Sequence, residues 1–229
     1  VPRETFHQEL EALVGDLLEL GEEVKSTLSR MVEGLERRDA EVCRGELGID
    51  ARFKLRGAEI DEECMILQAR QAPVARDLRL LYTVQTVANH LVRAGTLGEH
   101  ICRVVVDTAG EEKEEALESV LIQMAKAAKE LMDRGLAVFK SRDIDGARDL
   151  RAMDDEVDLM YAEAMNLIAN PPTGNRGSPE WRAKAALVVH YLERIADHGV
   201  SLGNRTVFLV TGERIENAML QYRERGDSK

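Results

Sequence analysis

Apolar side chains recur at steps of three and four along almost the whole chain. Phe6, Leu10, Leu13, Leu17, Leu20, Val24 and Leu28 form one such stripe and predict a first helix over residues 4–37. A second is expected over 39–72, stopped by Pro73, because the residue before a proline is pushed out of the α region. The third runs from Val74 to about 107, with Leu78, Leu81, Val84, Val87, Leu91 and Ile101 on its apolar face. Residues 107–115 carry Gly110 and a charge run and read as a linker. Two further helices follow over 116–139 and 144–169. The proline- and glycine-rich stretch 170–179 is a loop, and Ser178-Pro179 caps a sixth helix that ends at Thr211-Gly212. A short helix is expected from Ile215. The architecture is therefore all-α, with two tandem antiparallel three-helix bundles over 1–108 and 109–229, each with its own core. A Leu or Met stripe in such a frame is packing.

The two halves repeat. Arg38-Asp39, Arg44 and Asp50 return 104 positions later as Arg142-Asp143, Arg148 and Asp154. Leu91, Arg93 and Gly98 return 101 positions later as Leu192, Arg194 and Gly199. The copies differ in their acids. The second pairs Asp154 with Asp158 and Glu193 with Asp197, each four residues apart; the first has Asp50 with Lys54, and Val92 with Thr96.

Residues four apart on a helix are stacked neighbours, so each acidic pair is self-repelling. Asp154 lies on the stripe Leu150, Val157, Tyr161 and Ile168; Glu193 and Asp197 are interleaved with Val189, Leu192, Ala196 and Val200. Arg151, beside Asp154, is the one basic neighbour this reading finds. Four such acids on two helices of one bundle call for a cation. All-oxygen ligands suit magnesium, calcium, manganese or ferric iron; zinc is disfavoured without a Cys or His cluster. His198 adjoins Asp197 but points about 100° round the helix, which makes it a poor ligand. The plain alternative is that acidic pairs in a chain 32% charged are a solvated face.

Composition narrows the partners. Aromatics are only 4% of residues, as expected for long packed helices. A net charge of −11 argues against a nucleic-acid surface and is compatible with cations or basic protein partners. No stretch approaches the roughly 18 apolar residues of a membrane span. The start, Val1-Pro2-Arg3-Glu4, has neither an apolar core nor a cleavage pattern, and lacks an initiator Met as a trimmed chain would. Cys43, Cys64 and Cys102 are odd in number, without metal-type spacing, and read as packing thiols of a cytoplasmic chain.

Three segments resemble the PhoU family of phosphate-signalling regulators. Gln71-Ala72-Pro73-Val74-Ala75-Arg76-Asp77-Leu78-Arg79 resembles that family's QxPVAxDLR segment, and Tyr191-Leu192-Glu193-Arg194-Ile195-Ala196-Asp197-His198 its LERIADH motif. Phe208-Leu209-Val210-Thr211-Gly212-Glu213 is similar to its LVTGE end. The resemblance implies two three-helix bundles and a metal site on each, iron first among the candidates, with manganese, magnesium, calcium or zinc as alternatives. Carried over by position, Asp154, Asp158, Glu193 and Asp197 are the ligands of the second site. The first-repeat acids fall on Asp50, Lys54, Val92 and Thr96, so no conventional cluster is expected there, with His100 a remote substitute ligand. The implied function is negative control of the phosphate-starvation response, as an adaptor between the ATPase of the high-affinity phosphate ABC transporter and a sensor histidine kinase. That role is non-enzymatic, reaches the membrane only through partners, and allows a homodimer. Arg76, Asp77 and Arg79 belong either to the docking surface or to the bracing of the helix start after Pro73.

Two other classes compete. A ferritin-like metalloenzyme needs Glu-x-x-His pairs on two helices, and the chain offers only Glu4-x-x-His7. A metal-independent helical scaffold needs nothing further. No nucleophile–base pair, glycine-rich phosphate loop or dinucleotide fingerprint supports an enzyme.

Overall fold

The computed structural model describes residues 3–71, 73–172, 174 and 177–213, all helix or connection. Its helices are α1 (Arg3–Arg37), α2 (Ala40–Arg44), α3 (Asp50–Gln71), α4 (Arg76–Asp107), α5 (Glu115–Ser141), α6 (Ile144–Ala169) and α7 (Pro179–Thr211). The helix expected from Ile215 lies outside the described residues. None of the described helices is long and apolar enough to cross a membrane.

One expected helix is two. Residues 39–72 break after Arg44, where Gly45 to Ile49 make turns and Gly48 takes φ +88°, a conformation glycine adopts without steric cost. The break is held from within. Glu46 is buried and accepts a 2.6 Å hydrogen bond from Thr27 Oγ1 and an ion pair from Arg30 at 3.1 Å. The third expected helix starts at Arg76 rather than Val74, because Ala75 at φ +47° is not helical.

The repeated Arg-Asp dipeptides have a local physical cause. Arg38 (φ 54°) and Arg142 (φ 58°) are both left-handed residues that end a helix. Asp39 then accepts hydrogen bonds from the backbone N–H of Glu41 and Val42, and Asp143 from those of Asp145 and Gly146. Each dipeptide is thus a stop followed by an N-cap, which reverses the chain in two residues. The repeated glycines also have matching roles. A Cβ on Gly98 would lie 2.9 Å from Leu28 Cδ2 on α1, and one on Gly199 2.7 Å from the Leu131 carbonyl carbon on α5. Both mark a close helix crossing.

Helices α1, α3 and α4 pack together, as do α5, α6 and α7, and α4 against α7 and α1 against α5 join the two groups. The expected separate cores are in fact one continuous apolar cluster, from Phe6 through Leu28, Leu91 and Met124 to Leu209. Leu136 of α5 packs so closely on α1 that a Cβ on Gly21 would meet it at 2.5 Å.

Candidate functional site

Asp154 of α6 is half-buried between the buried Leu150 and Val157. Glu193 of α7 is also half-buried beside the buried Leu192, and Asp197, flanked by the buried Ala196, keeps an exposed face. Burial pushes the Asp154 carboxyl up to about 6, assisted by the charges of Asp197, Asp158, Asp155 and Glu193. Burial raises Glu193 as well, with Asp197 adding to it and His190 opposing. Partial desolvation and then Asp158 raise Asp197 against the pull of Arg194 and His190. All four sequence-predicted acids thus feel one another across the α6–α7 pair, and Asp155 joins them. Among the described residues, none of the four has an ion pair to Lys or Arg. Glu193 alone has a basic partner, His190, whose Nδ1 lies 3.7 Å from Glu193 Oε2. That corrects the expectation that Arg151 was the one basic neighbour: His190 stands three residues before Glu193, a spacing legible in the sequence.

The donor chemistry fits a hard cation: oxygen only, and negative charge with no Lys or Arg ion pair among the described residues. Among the described residues, however, no three Asp, Glu, His or Cys side chains stand close enough to hold a metal ion as placed. A cation held here would need these carboxylates to come closer together than they stand.

The corresponding place in the first repeat is occupied by protein. Lys54 Nζ donates to Asp50 Oδ2 at 2.5 Å, and chiefly through that bond holds Asp50 below the usual carboxylate range. Val92 packs on α3 so closely that a Cβ on Gly57 would lie 2.7 Å from its Cγ2. Thr96 Oγ1 is turned back to the carbonyl of Val92 at 2.9 Å. A carboxylate not foreseen from the sequence, Glu99, is 2% exposed and accepts from Asp50 N (3.1 Å) and Arg103 (2.6 Å). It carries an apolar neighbourhood and an Arg four residues on, which is the only signal that could have found it.

The histidines pack between helices. Nδ1 of His90 lies 3.2 Å from Nδ1 of His198, across the α4–α7 contact. Burial, assisted by the charge of Arg205, lowers His90 to about 4, and burial, assisted by His90 and then Arg194 and Arg93, lowers His198 to about 4. His198 therefore faces α4, and His100 faces Tyr191 with ring centroids 5.6 Å apart instead of turning toward the first repeat's acid. Cys43 and Cys102, distant in sequence, are brought together, and contact with Cys43 plus burial raises the Cys102 thiol. Burial likewise pushes the Cys64 thiol up to about 12. All three are free and buried, as packing residues are.

Comparison with known proteins places this arrangement. The PhoU domain model matches residues 17–105 and again 121–206. The chain is 26% identical over 215 residues to the phosphate-specific transport system accessory protein PhoU homolog of Clostridium acetobutylicum, covering 93% of this chain and 98% of that protein. It is 27% identical over 217 residues to PhoU homolog 1 of Mycobacterium tuberculosis, covering 92% and 95%. The crystal structure of the phosphate transport system regulatory protein PhoU from Streptococcus pneumoniae superposes with a TM-score of 0.80 at 25% identity, covering 91% of this chain and 98% of that one. PhoU from Pseudomonas aeruginosa, at 24% identity, shares the fold with a TM-score of 0.81. Two matched repeats spanning most of the sequence establish that the chain belongs to the PhoU family.

Proposed function

We propose that the chain is an accessory regulator of phosphate-specific transport, a non-enzymatic adaptor that restrains the phosphate-starvation response when phosphate is plentiful. Its partners in this reading are the transporter's ATPase and a phosphate-responsive sensor histidine kinase, met at the inner face of the membrane by a cytoplasmic protein. The observation that carries the regulatory role is the likeness to PhoU relatives over nearly the full length of both chains.

The same reading gives Asp154, Asp158, Glu193 and Asp197 a metal ion, iron first, with manganese, magnesium, calcium or zinc as alternatives. The mutual repulsion that raises Asp154, Glu193 and Asp197 supports it. A bound cation would supply the positive charge that an acidic bundle needs to hold an anion such as phosphate. The second reading, a metal-independent scaffold, is favoured by the lack of a preformed three-ligand cluster among the described residues. Metal content of the untagged protein and of Glu193→Ala/Asp197→Ala, after exposure to each ion, decides between them. Near-stoichiometric metal lost in the double variant is expected; metal-free wild type leaves the scaffold. Deleting the gene in its host tests the regulatory role: phosphate uptake in rich phosphate should rise, and unchanged uptake would refute it.

A further inference from the structure

The start of α4 and the end of α7 meet at one end of the molecule and expose an apolar stripe there. Val74 is 70% exposed, Tyr82 49%, Leu78 45% and Val210 40%. Val74, Leu78 and Tyr82 follow at steps of four, and Tyr82 meets Phe208 edge-on at 5.9 Å, which ties the α4 stripe to α7. Beside it runs a groove of about 680 Å3 whose apolar wall includes Leu10, Val14, Leu80 and Leu209.

The charge around this stripe is opposite to that of the chain. Arg76 and Arg142 line the groove, the Arg79 guanidinium lies beside Gly212, and Arg205 sits 5.7 Å over the Tyr82 ring. None of these four has an ion-pair partner among the described residues, and Arg79 Nε is buried without an acceptor there. In a chain with net charge −11, four arginines at one end with no carboxylate partner among the described residues are a pronounced local excess. Asp77 and Glu11 also line the groove and Glu213 follows Gly212, so the excess is partial.

We infer that this end is a docking surface for an amphipathic helix of another protein, apolar on one face and bordered by Asp and Glu. An exposed apolar patch of Val74, Leu78 and Tyr82 beside a concave apolar wall fits a helix laid in a groove, and arginines with no ion pair among the described residues select carboxylates by charge complementarity. The chain's own residues 214–229 carry four Lys and Arg against three Asp and Glu, which is the wrong sign. An anionic bilayer is opposed by the net charge of −11 and by the concavity. The inference deepens the adaptor reading and rests on it only for the identity of the partner.

The test is fluorescence anisotropy with the full chain and a labelled synthetic helix bearing a Leu stripe bordered by Glu. Controls are a scrambled peptide of the same composition and a version with Lys in place of Glu. The acidic helix should bind, weaken as salt rises, and bind roughly tenfold more weakly to Arg76→Glu/Arg142→Glu and to Leu78→Ser. All substituted side chains are exposed, so unchanged melting temperatures should accompany the loss. Equal binding of either control peptide, or affinity unchanged in both variants, would overturn the proposal. So would preferential pelleting with phosphatidylglycerol vesicles, self-association abolished by the same substitutions, or binding that appears only after residues 214–229 are removed. Unchanged phosphate uptake in the gene deletion, with peptide binding intact, would sink the regulatory reading and leave the surface standing.

Discussion

The two copies of the acidic motif are one helical framework with opposite electrostatic solutions. At the first, Asp50 has its own lysine four residues on, and Val92 fills the space against Gly57. At the second, three acids are pushed upward by burial and by one another with no Lys or Arg ion pair among the described residues. Shared turns and helix crossings therefore do not require a shared site. The Arg-Asp caps and the glycine crossings are retained in both copies, whereas the acids survive together in only one.

The glycine crossings should separate most strongly. Gly199→Ala drives a methyl into the Leu131 backbone, which cannot step aside, whereas Gly98→Ala meets only the end of the Leu28 side chain. Denaturant unfolding should show a loss of about 2–4 kcal/mol for the first and about 1 kcal/mol for the second. Equal losses would mean that the two crossings are not the asymmetric pair their geometry indicates. Next in size is the response to cations. Saturating metal at a hundredfold over Kd should stabilise the chain by about 2.7 kcal/mol. Glu193→Ala/Asp197→Ala should abolish that gain while Asp50→Ala leaves it intact, read as the shift in melting temperature. A gain that depends on Asp50 would reverse the comparison.

Acidification should act in the opposite direction at the α4–α7 contact. His90 and His198 are both depressed to about 4, so they bind fewer protons folded than unfolded. Stability from this pair is present above about pH 6.5 and is lost as pH falls toward 4. His198→Gln should flatten that loss by about 1–2 kcal/mol in unfolding measured from pH 7 to pH 4.5. An unchanged slope would show that the pair is not what titrates.

The helical frame was legible because it is written in local signals. Period-3.6 stripes, Ser178-Pro179 and the Gly212 stop each act within a few residues, and α1, α5, α6 and α7 fall within about two residues of expectation. The break at Gly45 to Ile49 was not legible, since it depends on Thr27 and Arg30 reaching Glu46 from another helix. The acid set was legible through spacing. Its environment was not, because the burial of Asp154 depends on how α6 packs against α5 and α7, which no local spacing records. The bond of Glu99 to Asp50 and the His90–His198 pair lay beyond reach for the same reason: each is defined by a partner 49 or 108 residues away.

The smallest effects test the comparison most directly, because one kind of substitution should change sign between the repeats. Asp154 titrates near 6 when folded, above its unfolded value near 3.8. The folded chain therefore holds that proton more tightly, and the contribution to stability is present below about pH 3.8 and lost as pH rises through 6. At neutral pH the ionised group is a burden, and Asp154→Asn should stabilise by about 1 kcal/mol after allowance for solvent screening. The gain should fade below pH 6 and vanish near pH 4. Asp50 is depressed by Lys54, so its contribution is present above the unfolded value and lost on acidification. Because Lys54 is largely exposed, Asp50→Asn should destabilise by only about 0.3 kcal/mol at neutral pH, less in high salt. Urea unfolding of both variants at pH 7.5 and pH 4 reads the signs directly. If both variants destabilise the chain at pH 7.5, Asp154 has a counter-charge, and the second repeat has neutralised its acids as completely as the first.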